Sequence, residues 1–142
     1  METKERDVLK ISRQQRLALL KPDEAFVEWY TESFMPDNLP HFYHDIENAM
    51  LRRMVLNGRR VAVSKGFTDP STQAHFITFM WTVGADFFEF PVFAAIVNHP
   101  KLSPTEKIDR LYKVDGAVAS EVILKADDRA WFRVPGQTSG GE

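Results

Sequence analysis

The chain has 142 residues and a mass of 16.3 kDa, the length of one ordinary domain. Its composition, 44% apolar, 27% charged and 12% aromatic, is globular and long enough to bury a core without staples. It has no cysteine, which excludes a disulfide framework, a thiol nucleophile and every cysteine-held zinc or iron–sulfur site. The charged start, Met1 to Asp7, has no apolar stretch behind it, so no secretory signal is expected. The greasiest region, Ala74 to Asn98, is broken by Asp86, Glu89 and Pro91, so no membrane span is expected and a cytoplasmic location follows.

The net charge of −2 conceals a segregated distribution. Residues 1–21 hold six basic groups and three acids, whereas residues 22–50 hold seven acids and no Lys or Arg. Residues 51–66 reverse this with Arg52, Arg53, Arg59, Arg60 and Lys65, and residues 67–100 carry only Asp69, Asp86 and Glu89. The basic blocks are too small, and the chain too acidic, for a phosphate-seeking surface, so no nucleic-acid partner is expected.

Apolar spacing is helical almost throughout. Val8, Leu9, Ile11, Leu17 and Leu20 mark an amphipathic helix over 5–20. Pro22, Asp23 and Glu24 open a second, with Phe26, Trp29, Tyr30 and Phe34 as its apolar face and Met35-Pro36-Asp37-Asn38 as its end. Pro40 opens a third, with Phe42, Tyr43, Ile46, Ala49, Met50 and Met54 facing inward and Gly58 as its stop. Residues 59–66, with Val61-Ala62-Val63, suit a short strand or a helix end. Asp69-Pro70 caps a helix running through Phe76, Phe79, Met80 and Val83 to Gly84. Pro91 starts a short apolar helix to about Asn98. Ser103-Pro104-Thr105-Glu106 is a capping box for a helix that ends at Asp115-Gly116. Residues 117–126 suit a helix, or a strand at Val122-Ile123-Leu124. The tail 135–142 has no apolar side chain and is expected to be loose.

The expected architecture is therefore mainly α. It is a single domain over 1–134 with about six or seven short helices, and room for one strand pair at the two ambiguous stretches.

Between His75 and Gly116 the order of features resembles an uncharacterised bacterial family, domain of unknown function 4274. The matching residues are Trp81, Gly84, Phe88-Glu89-Phe90-Pro91, Ala94 to Val97, Asn98-His99-Pro100 and Asp115-Gly116. Thr82 and Val83 stand where that family carries paired acids. Proteins similar to the family tend to occur beside polymorphic toxins, so the resemblance implies an immunity role.

Several constellations carry possible chemistry. His41, His44 and Asp45 fall at i, i+3 and i+4 of a helix and could hold a metal, or form a polar outer face. His75 and His99 lack an identifiable orienting partner, as a general base would need. There is no nucleophile elbow and no phosphate loop. No catalytic residue, metal or cofactor is therefore assigned. The run Phe87-Phe88-Glu89-Phe90 lies between helices, where one ring could be left exposed as an anchor.

Glu24, Glu28 and Glu32 form the most informative pattern, one line along a helix at i, i+4 and i+8. Like charges so spaced cost about 0.2–0.5 kcal/mol per pair, and the segment holds no cation to offset them. The line reads either as a solvated face or as an acidic strip for a basic surface on another protein. Together with Asp86, Phe87 and Glu89 it forms the expected partner-binding set. The expected function is a protein-binding inhibitor, an immunity protein that neutralises a cognate bacterial toxin. The alternatives are a small metal-dependent enzyme or ligand-binding domain at His41/His44/Asp45, and a helical adaptor that forms a homodimer through the aromatic run.

Overall fold

Prolines and capping side chains set most of the helix starts. A computed structural model describes residues 21–133, so the helix expected over 5–20 and the tail 135–142 lie outside the described residues. All regular structure within them is helical, and the two ambiguous stretches, 59–66 and 117–126, contain no strand. Contacts divide the chain at 52/53 into two units, taken in turn.

In the first unit, α1 spans Lys21–Trp29 and runs into a wide π-helical turn, Tyr30–Phe34. A short helix α2, Met35–Asn38, follows directly. The widening has two local causes. Pro36 has no N–H for the carbonyl four residues back and its ring would collide with it, and the buried Thr31 donates its hydroxyl to the Val27 carbonyl at 2.7 Å. Met35 N–H consequently reaches back five residues to the Tyr30 carbonyl. Met35-Pro36-Asp37-Asn38 thus extends the helix instead of closing it, and the chain leaves at Leu39 (φ −135°, ψ 54°), just before Pro40.

The helix expected from Pro40 to Gly58 is interrupted. Helix α3 covers Pro40–Asp45, Ile46 is extended (φ −113°, ψ 135°), and α4 begins afresh at Asn48 and runs to Ser64. The new start resets the buried face. Leu51, Met54, Val55, Gly58, Arg59 and Ala62 are buried at helical spacing, whereas Ala49 and Met50 are exposed. Gly58 does not stop the helix; Gly66 does, at φ +94°.

The second unit begins within α4. Gly58 sits there because a side chain would not fit: a Cβ would lie 3.1 Å from Trp131, 3.2 Å from Ile77 and 3.3 Å from Met80. Helix α5, Pro70–Thr82, is capped by Asp69, which accepts from the Thr72 N–H and hydroxyl. A polar pin lies in this core. Buried Arg59 donates from Nε to Gln73 Oε1 at 2.8 Å, and Gln73 Nε2 donates to the Phe67 carbonyl at 3.0 Å. Burial of these groups is tolerable because hydrogen bonds replace water.

A 3-10 turn, Phe87–Glu89, leads to α6, Pro91–Val97, and then to α7, Pro104–Tyr112, which packs against both α5 and α6. The expected capping box is formed, with Ser103 N–H donating to Glu106 at 2.8 Å and Glu106 N–H donating to Ser103 Oγ at 3.1 Å. Asp115-Gly116 does not end α7. Asp115 caps the next helix, α8, Gly116–Lys125, by accepting from Ala117 N–H at 3.0 Å. A last 3-10 turn, Asp128–Phe132, carries Trp131 into the core, its ring 4.3 Å from that of Trp81.

Two predictions follow from this packing. A methyl group at Gly84 would overlap Ala126 Cβ. Gly84→Ala therefore destabilises the second unit by about 1–3 kcal/mol as an overpacking change, visible as a lower Tm. Gly66→Ala, with open space around it, loses about 1–2 kcal/mol from its left-handed backbone alone, and Gly66→Asn loses less.

A third prediction concerns acid. Hydrogen bonds from the Arg129 side chain and backbone hold the Asp127 carboxyl down at about 2, and the Ser103 backbone N–H does the same in direction for Glu106. Because both folded values lie below the unfolded ones, the stabilisation is full above roughly pH 4.5 and is lost as pH falls through the folded values. The Tm gap between the wild-type chain and an Asp127→Asn/Glu106→Gln variant should be widest near neutrality and close as pH approaches 2. A gap independent of pH would contradict this.

Candidate functional site

The acidic line of α1 and the residues after it belong to the first unit. Glu24, Glu28 and Glu32 are exposed, as are Asp37, Asp45 and Glu47. Glu32 is also tied locally, accepting from Asn48 Nδ2 at 3.2 Å and from the Tyr43 hydroxyl at 3.4 Å. These bonds carry the acidic line from α1 to the start of α4, next to Glu47.

The buried side of α1 is rotated from the expected one. Phe26, Val27, Tyr30 and Thr31 are buried at ordinary helical spacing, and Met35 follows because the wide turn makes the fifth residue after Tyr30 return where the fourth would. Trp29, expected inward, is displaced to the flank and is 45% exposed. Its ring is nevertheless held against three others, with centroids 5.8 Å from Phe26, 6.0 Å from Tyr30 and 5.6 Å from Phe34. A positioned, half-open indole therefore stands one helical step from Glu28 and Glu32, on a segment with no Lys or Arg. Sequence reasoning missed this residue, since aromatic periodicity alone assigned it to the core.

Asp86, Phe87 and Glu89 lie in the second unit and do not form an open binding patch. Phe87 is fully buried among Phe76, Phe79, Phe88 and Phe93, with centroid separations of 5.1–5.6 Å. The 3-10 turn is what makes this possible: Phe87 and Phe88 turn inward together, so neither is the exposed anchor, while Phe90 of the same run is half-buried. Asp86 is buried too. It accepts from Asp127 N–H at 3.0 Å and lies 4.0 Å from Arg133, so its role is to hold the last turn in place. Glu89 is exposed but is engaged by Arg133 at 2.8 Å.

The histidines are dispersed. His41, His44 and Asp45 are exposed on α3, and His44 packs edge-on to Tyr43 at 5.2 Å. No group of three His, Cys, Asp or Glu side chains among the described residues is arranged to hold a metal ion. His75 meets the Tyr112 hydroxyl at 2.7 Å, and His99 Nδ1 accepts from Lys101 N–H at 3.1 Å. Each therefore has a structural partner.

Of the expected site residues, then, the structure leaves Glu24 and Glu28 of α1 and Glu32 of the wide turn at the surface, and adds Trp29 to them. Among the described residues, no helix is long and apolar enough to cross a membrane. No protein-family model, no curated protein and no solved structure matches this chain.

Proposed function

We propose that the chain binds another protein through the acidic face of residues 23–47, and that it is an immunity protein that occludes the basic cleft of a cognate bacterial toxin. The observation that carries this reading is the half-exposed Trp29 held beside Glu28 and Glu32, in a segment of seven acids and no Lys or Arg. The resemblance of residues 75–116 to domain of unknown function 4274 points the same way.

The physical logic has two parts. Exposed carboxylates such as Glu24 and Glu28 steer a basic partner into encounter and reject acidic ones, which acts on association rate and choice more than on raw affinity. The indole supplies what charge does not, a rigid apolar anchor that enters a pocket with little loss of conformational freedom. Toxins that act on nucleotides, nucleic acids or phosphate-bearing lipids need basic clefts to hold their substrates. A folded acidic surface of this kind competes for such a cleft without chemistry of its own.

The test is affinity capture from lysate of the native host at low and then high salt, with mass spectrometry of the retained protein. The expected result is one stoichiometric basic partner that salt releases. The Glu24→Lys/Glu28→Lys variant, both positions exposed, should associate at least tenfold more slowly at low salt while keeping the wild-type circular dichroism. Trp29→Ala should lose about 2 kcal/mol of affinity, mostly through faster dissociation. Unchanged affinity in both variants would remove this face from the interaction.

A further inference from the structure

The proposed function leaves the basic block of residues 51–66 unused. Of its five cations, Arg59 is buried on Gln73, Arg52 is half-buried, and half-buried Lys65 lies 5.3 Å from the centre of the Phe88 ring. Arg53 and Arg60 remain exposed, two turns apart on one side of α4, and neither joins an ion pair among the described residues. The last turn of the chain braces this side. Asn57, between the two arginines, donates to the Trp131 carbonyl at 2.9 Å, and the Arg53 guanidinium lies 5.5 Å from the centre of the Phe132 ring. That contact already limits the freedom of the Arg53 side chain, so less is lost when it binds.

We propose that this basic face docks on the acidic line Glu24, Glu28 and Glu32 of a second copy of the chain, so that copies join head to tail. Charge complementarity selects the occupant. The chain carries its acids and bases in adjacent blocks, seven acids without Lys or Arg over 22–50 and five bases without an acid over 51–66. At 1.5 Å per helical residue, Arg53 and Arg60 stand about 10 Å apart along α4, and Glu24 and Glu32 roughly 12 Å apart along theirs. Long side chains absorb the difference, and Glu28 lies between its neighbours. Two exposed arginines are too few for a nucleic-acid backbone, which takes clustered cations over a wider surface. The contact joins two different surfaces, so it builds rings or open chains and not a closed two-fold pair. Exposed ion pairs contribute little apiece, so the association is weak and reversible. The consequence for regulation rests on the proposed function: copies joined in this way cover the glutamates that meet the toxin, and a toxin that binds them more tightly displaces the neighbouring copy.

Sedimentation equilibrium of the full chain, at up to about 1 mM protein and in about 0.01 M or about 1 M salt, reads the association directly. At low salt the average mass of the wild-type protein should rise with concentration without levelling at the dimer, and at high salt it should fall to the monomer. Arg53→Gln/Arg60→Gln and Glu24→Gln/Glu28→Gln/Glu32→Gln should each weaken association at least tenfold with unchanged circular dichroism. Each variant keeps one intact face, so the two mixed should form a one-to-one pair that grows no further. A monomer at every concentration in low salt overturns the proposal, as does association that either variant retains in full, or a mixture that fails to pair. A short DNA duplex that binds through Arg53 and Arg60, while the wild-type protein alone stays monomeric, gives the face to phosphate and overturns it too. The Arg53→Gln/Arg60→Gln variant keeps its acidic face, so its capture of a basic partner from lysate tests the earlier reading separately.

Discussion

Proline at the start of a helix is the constraint on which most of this architecture depends. Helices α2, α3, α5, α6 and α7 each carry one at the first or second position. There the missing N–H costs nothing, and the fixed φ favours helix ahead of the ring while disfavouring it behind. The result is a chain divided into short, separately capped pieces, each of which can be turned to bury a different face. Pro36 is the instructive exception. It falls where the chain continues helically, and the strain is taken up by the widened turn at Tyr30–Phe34. That one accommodation returns Met35 to the buried side five residues after Tyr30, while ordinary helical spacing from Phe26, Val27 and Tyr30 leaves Trp29 on the flank.

The two ends of the candidate function, charge and anchor, therefore have different origins. The acids are written directly in the composition of residues 22–50, which hold no Lys or Arg. The anchor arises from backbone geometry. An exposed indole on an otherwise polar face has no obvious structural use, since its ring would gain more by burial. Three neighbouring rings hold it in place, and under the proposed function it is the anchor of the acidic face.

What was legible in the sequence was local. The mainly helical class, the starts at Pro40, Pro70, Pro91 and Pro104, and the caps at Asp69 and Ser103 each depend on residues within one turn of each other. What was not legible depended on distant partners or on competition between near-equal local choices. Gly58 looked like a stop, but its purpose is set by Trp131, 73 positions away. Asp115-Gly116 carries the signal of a helix end and of a helix start, and only the bond to Ala117 decides between them. The place of Asp86 depends on the Asp127 N–H and on Arg133, which flank a final turn, Asp128–Phe132, that has no periodicity by which to be recognised.

That final segment also has a kinetic meaning. The helices of the second unit are closed by hydrogen bonds four residues long, which form quickly, but its core is completed by groups far apart in the chain. Asn57 donates to the Trp131 carbonyl at 2.9 Å across 74 positions, and Trp131 packs on Trp81. Long loops are slow to close, so these contacts belong to the late stage of folding. During synthesis the hollow beside Gly58 stays unfilled until residue 131 has left the ribosome. Until then Trp81 and its neighbours are open to water, and to whatever chaperone attends the nascent chain.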